Sequence, residues 1–180
     1  MTDGLVWAGG RFDPIPFGPF SFSVMQALDY EVQPRIAPPD ALPNAYVKDI
    51  TYGPSSAFHQ RFRSSNDLTL RVSVGNDGGF TQVSAPAGAQ ILILPATSTT
   101  EAILSDAMVR GEADSTGAYK SGVLAPGKYH VLATYDLIDR TPESIANIWR
   151  ERNRGQEVDV GPNVTASATL LEAVPLQVRR

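Results

Sequence analysis

Short apolar runs separated by turn residues characterise the second half of the chain. Apolar and polar residues alternate in FTQVS and KYHVLATYD, whereas AQILILP is apolar at consecutive positions. Alternation is typical of a strand with one buried face, and a short continuous apolar run is typical of a strand buried on both faces. The pattern predicts seven short strands at roughly even spacing, as in a small β-sandwich, in FTQVS, AQILILP, AMVRGEAD, AYKSGV, KYHVLATYD, QEVDV and VTASATLLEAV.

The first half of the chain contains weaker strand patterns, in FSFSV, LDYEVQPRI, NAYVKDITYG and LTLRVSV. In LTLRVSV the alternation predicts that Leu68, Leu70, Val72 and Val74 point inward. The strongest break inside the chain follows in GNDGGF, residues 75–80, where three glycines accompany Asn and Asp. We therefore predict two domains, residues 1–77 and residues 78–180.

The N-terminal segment AGGRFDPIPFGPFSFS is rich in proline and phenylalanine. Three closely spaced prolines disfavour both a helix and a central strand, so we predict an extended arm with few or no strands before Phe20. Such an apolar arm is costly in water unless it is covered. We expect residues 4–20 to pair or pack against a sheet, either their own or that of a neighbouring copy.

One segment of the second half has the pattern of a helix. In RTPESIANIWRERNRG, Thr141 is suited to cap the helix and Pro142 to occupy its first position. Ile145, Ile148 and Trp149 share one face at helical spacing. We predict a helix of about three turns, ending at Gly155, that covers an open edge or end of the sandwich.

The composition supports a globular all-β chain. The 180 residues are 42% hydrophobic and 19% charged, with 15 Gly and 14 Pro. The net charge of −4 and the scattered Lys and Arg make nucleic acid a poor candidate partner. The absence of cysteine excludes disulfides, thiol nucleophiles and cysteine-ligated metals. No apolar run approaches the length of a membrane span, so we expect none.

The titratable residues suggest little chemistry. His59 lies near Arg61 and Arg63 in SAFHQRFR, a grouping typical of a solvated loop, with a site for an anion or a sugar acid as the alternative. His130 is predicted to face outward from a strand. Neither histidine has a second one at metal-ligand spacing. The acidic residues Asp136, Asp139, Glu143 and Glu151 could be taken for the carboxylate pair of a glycoside hydrolase, but turn and capping chemistry explains their position better.

The stretch DSTGAYKSGVLAPGKYHVLATYD, followed by a helical insertion and RGQEVDVGPNVTASATLLEAV, resembles the carboxypeptidase regulatory-like domain. That domain is a transthyretin-like sandwich related to Cna-B-type repeats of bacterial envelope proteins. The resemblance is carried by the DSTG turn, Tyr119, Leu124, the APG turn at residues 125–127, and the strand that begins at Tyr129. The first half resembles a degraded or truncated copy of the same domain. The resemblance therefore implies two Ig-like or transthyretin-like sandwiches with one short helix in the second.

Domains of this kind are mostly non-catalytic, and that is what the resemblance implies here. We expect a structural or interaction module of a cell-surface or secreted bacterial protein, located in the envelope or outside the cell within a larger or processed chain. Its expected partner is a protein or a further copy of itself, with possible self-assembly through the arm. We predict no catalytic residues, no metal site and no cofactor. The alternative is a carbohydrate-binding module, in which Tyr135 and Trp149 would stack on sugar rings.

Overall fold

A computed structural model describes residues 3–8, 11–16, 29–32, 34, 43–64 and 68–176. The chain divides into two compact units, Met1–Asp77 and Gly78–Arg180. The division falls within the glycine-rich stretch GNDGGF. The segment FSFSV, for which a strand is predicted, lies outside the described residues. The assignment of the two units to a truncated and a complete sandwich of the same family stays a prediction.

The first unit begins with a β-hairpin. Strands β1 (Asp3–Ala8) and β2 (Arg11–Pro16) pair antiparallel, from Asp3 opposite Pro16 to Ala8 opposite Arg11. These residues therefore form two paired strands before Phe20, which corrects the expectation of a single extended arm. Proline is tolerated here because both strands of a two-stranded sheet are edge strands. The Gly-Gly pair that separates the two strands in the sequence is a signal for a hairpin.

The rest of the first unit contains two small sheets. Its strands are β3 (Asp29–Tyr30), β4 (Tyr46–Tyr52), β5 (Ser55–Ser56), β6 (Phe62–Arg63) and β7 (Leu70–Gly75), with β3 paired to β6 and with β4 between β5 and β7. Ile50 and Tyr52 of β4 are buried, and their cross-strand partners are Val72 and Leu70. Leu68 precedes β7 and Val74 lies opposite Val47, and both side chains are exposed, so the prediction that they point inward was wrong.

The second unit contains seven strands among its described residues, as the pattern predicts. They are β8 (Phe80–Ser84), β9 (Gln90–Pro95), β10 (Val109–Glu112), β11 (Ala118–Lys120), β12 (Gly127–Thr134), β13 (Gln156–Val160) and β14 (Thr165–Thr169). They form a four-stranded sheet, β10-β9-β12-β13, and a three-stranded sheet, β11-β8-β14. The predicted all-β, sandwich-like fold class is confirmed.

The four-stranded sheet separates two hydrophobic cores. The odd-numbered residues of β9 and β12, including Ile91, Ile93 and Val131, join the core that contains residues of the three-stranded sheet such as Val83. The even-numbered residues of β9 and β12 belong to a second core with the two helices, whereas in β13 it is the even-numbered Val158 and Val160 that join the first core. That second core consists of Leu92, Leu94, Leu104, Met108, Leu132, Ile145, Ile148 and Leu176. The helices therefore cover a face of the sheet, which corrects the prediction of a helix over an edge or end of the sandwich.

The two helices differ in how well the sequence predicts them. Helix α2 (Pro142–Glu151) begins as predicted, because Thr141 Oγ1 accepts a hydrogen bond from the Ser144 N–H over 3.3 Å. A 3-10 turn extends it to Gly155. Helix α1 (Glu101–Ala107) was not predicted, although Thr100 caps it in the same way. Two turns are too short to display a clear helical period.

Candidate functional site

A groove of about 770 Å³ lies where the chain passes from β12 into α2. One wall is the loop after β12, and the other is the face of α2 that carries Ser144, Asn147 and Arg150. Leu176 lines the groove from the C-terminal segment. This is the region in which the sequence concentrates acidic residues, and three of them, Asp136, Asp139 and Glu143, line the groove.

The two aspartates of the groove hold the local backbone in place. Asp136 Oδ2 accepts a hydrogen bond of 2.6 Å from the Leu176 N–H, which ties the C-terminal segment to the loop. Asp139 Oδ1 accepts from both the hydroxyl and the N–H of Thr141, over 2.6 and 3.1 Å. The side-chain hydrogen bond from Thr141 is the main cause that lowers the pKa of Asp139 below its usual range. Both residues thus perform the predicted turn and capping chemistry.

The remaining two acidic candidates lie at opposite ends of α2. Glu143 is exposed in the first helical turn, where the positive end of the helix dipole favours a carboxylate. Glu151 accepts a hydrogen bond of 3.0 Å from Arg154 at the other end of the helix, and it does not line the groove. A glycoside hydrolase of the usual kind needs one carboxyl group with a raised pKa facing a second carboxylate. Of these four residues, Asp139 has a lowered pKa and Glu151 lies outside the groove.

The rim of the groove combines apolar exposure with fixed polar groups. Leu137 lines the groove and is 80% exposed. The backbone of the same loop is anchored, because Arg110 Nη1 donates to the Ile138 carbonyl over 3.3 Å. On the helix wall, Arg150 Nη1 donates to Asn147 Oδ1 over 3.1 Å. The groove can therefore contact a polypeptide segment through one apolar residue and several hydrogen-bonding groups.

The two aromatic residues considered for sugar stacking have different environments. Tyr135 is 65% exposed, and its hydroxyl donates to the Ala87 carbonyl over 3.3 Å. Trp149 packs against the second core, and the Arg152 guanidinium lies 3.7 Å from its ring centroid. The ring of Trp149 is thus engaged by the core and by a cation. A joint platform of these two rings is not formed.

The two histidines lie in different units. His59 is half-buried in the turn before β6, where its ring centroid is 4.0 Å from that of Phe58. His130 on β12 lies opposite Leu94 and Glu157, on the sheet face that the helices cover. It is half-buried with its Nδ1 enclosed, which corrects the expectation of an outward-facing residue. Within the described parts of the chain, no group of three or more potential ligand side chains is placed to hold a metal.

The turns singled out in the sequence have well-defined geometry. In the DSTG turn, Asp114 Oδ1 accepts hydrogen bonds from the Thr116 N–H, the Thr116 hydroxyl and the Ala118 N–H. These bonds, led by the Thr116 hydroxyl, lower the pKa of Asp114. After the APG turn, the Tyr129 hydroxyl donates to the Ala125 carbonyl over 2.7 Å, which fixes the entry into β12. Both turns order strands of the sandwich.

Comparisons with known proteins give a distant structural likeness. The sequence matches no protein-family model and no curated protein. A solved structure described as "The Bacillus anthracis TIE protein" is similar at 12% sequence identity and a TM-score of 0.34. The alignment covers 71% of this chain and 24% of that one, so the chain spans about a quarter of its length. The β-sandwich character of the protein rests on its own sheets and cores.

Neither helix among the described residues has the length and apolar character that crossing a bilayer requires.

Proposed function

We propose that the protein is a non-catalytic interaction module of a bacterial cell-surface or secreted protein, and that it binds a protein partner through the groove beside α2. The observation that carries this proposal is the structural role of two carboxylates in the groove. Asp136 and Asp139 accept backbone hydrogen bonds that organise the loop, while Leu137 projects from the rim. Fixed polar groups around an exposed apolar side chain are typical of a protein contact surface.

Two features of the second unit support its assignment to carboxypeptidase regulatory-like or Cna-B-type sandwiches. The DSTG turn uses Asp114 as an internal cap, and Tyr129 closes the APG turn with its hydroxyl. These are the residues on which the sequence resemblance depends. The envelope or extracellular location follows from the same resemblance, and it can be tested by fractionating the source cells and detecting the chain with an antibody.

A binding experiment tests the groove. The immobilised full chain is exposed to the secreted and envelope proteins of its source, and the retained proteins are identified for the wild type and for Leu137→Glu. We expect a defined partner that the wild type retains and Leu137→Glu loses, because a charge replaces the apolar rim contact. Leu68→Glu is the matched control, since Leu68 is an exposed leucine of the first unit. Equal retention by all three proteins would contradict a role for the groove.

Assembly through the N-terminal hairpin is a second part of the proposal. Deleting residues 1–18 removes β1 and β2, and the molar mass in solution is then compared with that of the full chain. We expect the deletion to lower the number of chains in the assembly, because a two-stranded hairpin is marginally stable unless its strands pack on something. If the full chain and the deletion variant contain the same number of chains per particle, this role is contradicted.

The carbohydrate-binding alternative remains open to a direct test. A glycan array probed with the wild type and with Tyr135→Ala would identify it, since Tyr135 is the more exposed of the two rings. Binding lost in the variant would favour this alternative over the protein-contact proposal. Absence of binding to every glycan would leave the alternative without support.

A further inference from the structure

The three-stranded sheet of the second unit ends at β14. In the order β11-β8-β14, β14 runs parallel to β8, from Thr165 opposite Phe80 to Thr169 opposite Ser84. Among the described residues, no strand pairs with the other edge of β14. Such an edge presents a row of backbone N–H and C=O groups to which a further strand can bond.

Two hydrogen bonds show which backbone groups of β14 face the sheet. The N–H of Phe80 donates to the Val164 carbonyl over 2.9 Å, and the N–H of Leu170 donates to the Ser84 carbonyl over 2.8 Å. Even-numbered residues of this segment therefore bond to β8. Because successive residues of a strand alternate in direction, the odd-numbered residues direct their N–H and C=O groups to the free edge.

The free edge of β14 is thus formed by Thr165, Ser167 and Thr169. The side-chain Oε1 of Gln156 already accepts a hydrogen bond of 2.8 Å from the Thr169 N–H, which agrees with this direction. The side chains of the three residues are exposed, small and uncharged. All three are compatible with close approach of another backbone.

The other terminal strands of the two sheets carry exposed charges. These are Arg110 and Glu112 on β10, Lys120 on β11, and Glu157 and Asp159 on β13. Charged residues on an edge strand oppose pairing with a further strand. The TASAT sequence of β14 has none, and exposed apolar residues flank it, Val164 at 51% and Leu171 at 88% exposure. Of the terminal strands in this unit, β14 is therefore the one suited to pairing.

We propose that two copies of the chain associate through β14, which pairs antiparallel with itself across a two-fold axis at Ser167. In this register Ser167 faces its symmetry mate and Thr165 faces Thr169 of the other copy. Each residue whose N–H and C=O groups point to the free edge then lies opposite another such residue, so the two can exchange hydrogen bonds as in an antiparallel ladder. Threonine pairs across strands are favourable, and no charge meets a like charge. A second copy is the fitting occupant because the edge is complementary to itself.

The pairing forms more hydrogen bonds than it breaks. The three opposed residue pairs form about six backbone hydrogen bonds between the copies. The bond between Gln156 and the Thr169 N–H is given up in each copy. The six-stranded sheet that results also brings the apolar residues at the ends of β14 close to the other copy, which removes part of their surface from water.

A charge-swap experiment tests the pairing. The molar mass of the full chain is measured by analytical ultracentrifugation over a range of concentrations, for the wild type, Ser167→Lys and Ser167→Glu. We expect a wild-type dimer, and a dissociation constant raised at least about tenfold in each variant, because two like charges face each other at the axis. An equimolar mixture of the two variants is expected to dimerise again. Ser84→Lys is the matched control, since Ser84 is exposed on the central strand of the same sheet.

Three outcomes would overturn the proposal. They are a wild type that stays monomeric throughout, a Ser167→Lys chain that dimerises like the wild type, and a Ser84→Lys chain that dissociates as readily as Ser167→Lys. Deletion of residues 1–18 separates this interface from assembly through the N-terminal hairpin. A β14 dimer survives that deletion and remains sensitive to Ser167→Lys, whereas a hairpin-mediated oligomer does not survive it.

Discussion

Gly117 occupies a backbone conformation that residues with a side chain rarely adopt. Its φ is +81°, and a Cβ at this position would lie 2.2 Å from the Ala85 carbonyl oxygen. The same contact includes a hydrogen bond, because the Ala85 N–H donates to the Gly117 carbonyl over 2.8 Å. The glycine therefore allows the DSTG turn to close against the end of β8.

Substitution of Gly117 is expected to destabilise the second unit. Gly117→Ala combines the cost of a positive φ with a steric clash, so the free energy of unfolding should fall by about 2 kcal/mol or more. Urea denaturation followed by circular dichroism measures the change. Gly122→Ala is the control, because a Cβ at Gly122 meets nothing within 4 Å. An equal loss in both variants would contradict the assigned role of Gly117.

Asp114 makes the stability of the same turn depend on pH. Its pKa in the folded chain is lowered by the Thr116 side-chain bond and by backbone bonds, so the unfolded chain binds a proton more readily. The contribution is therefore present above the ordinary aspartate pKa of about 3.9 and is lost as the pH falls through the lower folded pKa.

We expect Asp114→Ala to be less stable than the wild type at neutral pH, and the difference to shrink as the pH falls below about 4. Urea titrations at a series of pH values measure this. Ser115→Ala, a change of an exposed neighbour in the same turn, should leave the pH dependence unaltered. A difference between wild type and Asp114→Ala that does not vary with pH would contradict the prediction.

At the scale of elements, β9 shows what a sequence pattern contains and what it omits. AQILILP predicts a strand buried on both faces, and residues 91–94 are all fully buried. The continuous apolar run does not say what covers the second face of the strand. That cover is α1 and α2, of which α1 is too short to be periodic. The periodicity of α2 identifies its apolar face but not the surface on which that face lies. Caps and turns are local and were predictable, whereas the helix layer depends on tertiary packing.

Truncation of the buried face of α2 tests the second core. Ile148 is fully buried there, so Ile148→Ala should lower the free energy of unfolding by about 2 to 5 kcal/mol. Trp149 is half-buried, and Trp149→Ala should cost less than Ile148→Ala despite removing more atoms. Chemical denaturation of the two variants gives the comparison. A larger loss for Trp149→Ala would mean that the indole, rather than Ile148, anchors the helix.

At the scale of the whole molecule, the groove depends on a contact that local patterns cannot reveal. The sequence indicates acidic residues and capping between β12 and α2, and the structure agrees with that chemistry. The hydrogen bond from Leu176 to Asp136 joins residues 40 positions apart, and it shapes one side of the groove. Long-range contacts of this kind follow from chain topology. The strands of the first unit could be predicted only in part, since the buried cluster among its described residues is small.

The second unit contains both of the larger cores, and this leads to a prediction about its independence. The inter-sheet core and the helix-covered core are built from residues after Asp77. A domain with its own core can fold alone. We expect Gly78–Arg180, expressed by itself, to unfold cooperatively in urea, and Ile148→Ala to lower its midpoint as it does in the full chain. A broad transition with fluctuating tertiary signals, as in a molten globule, would show that the seven strands and two helices need the first unit in order to pack.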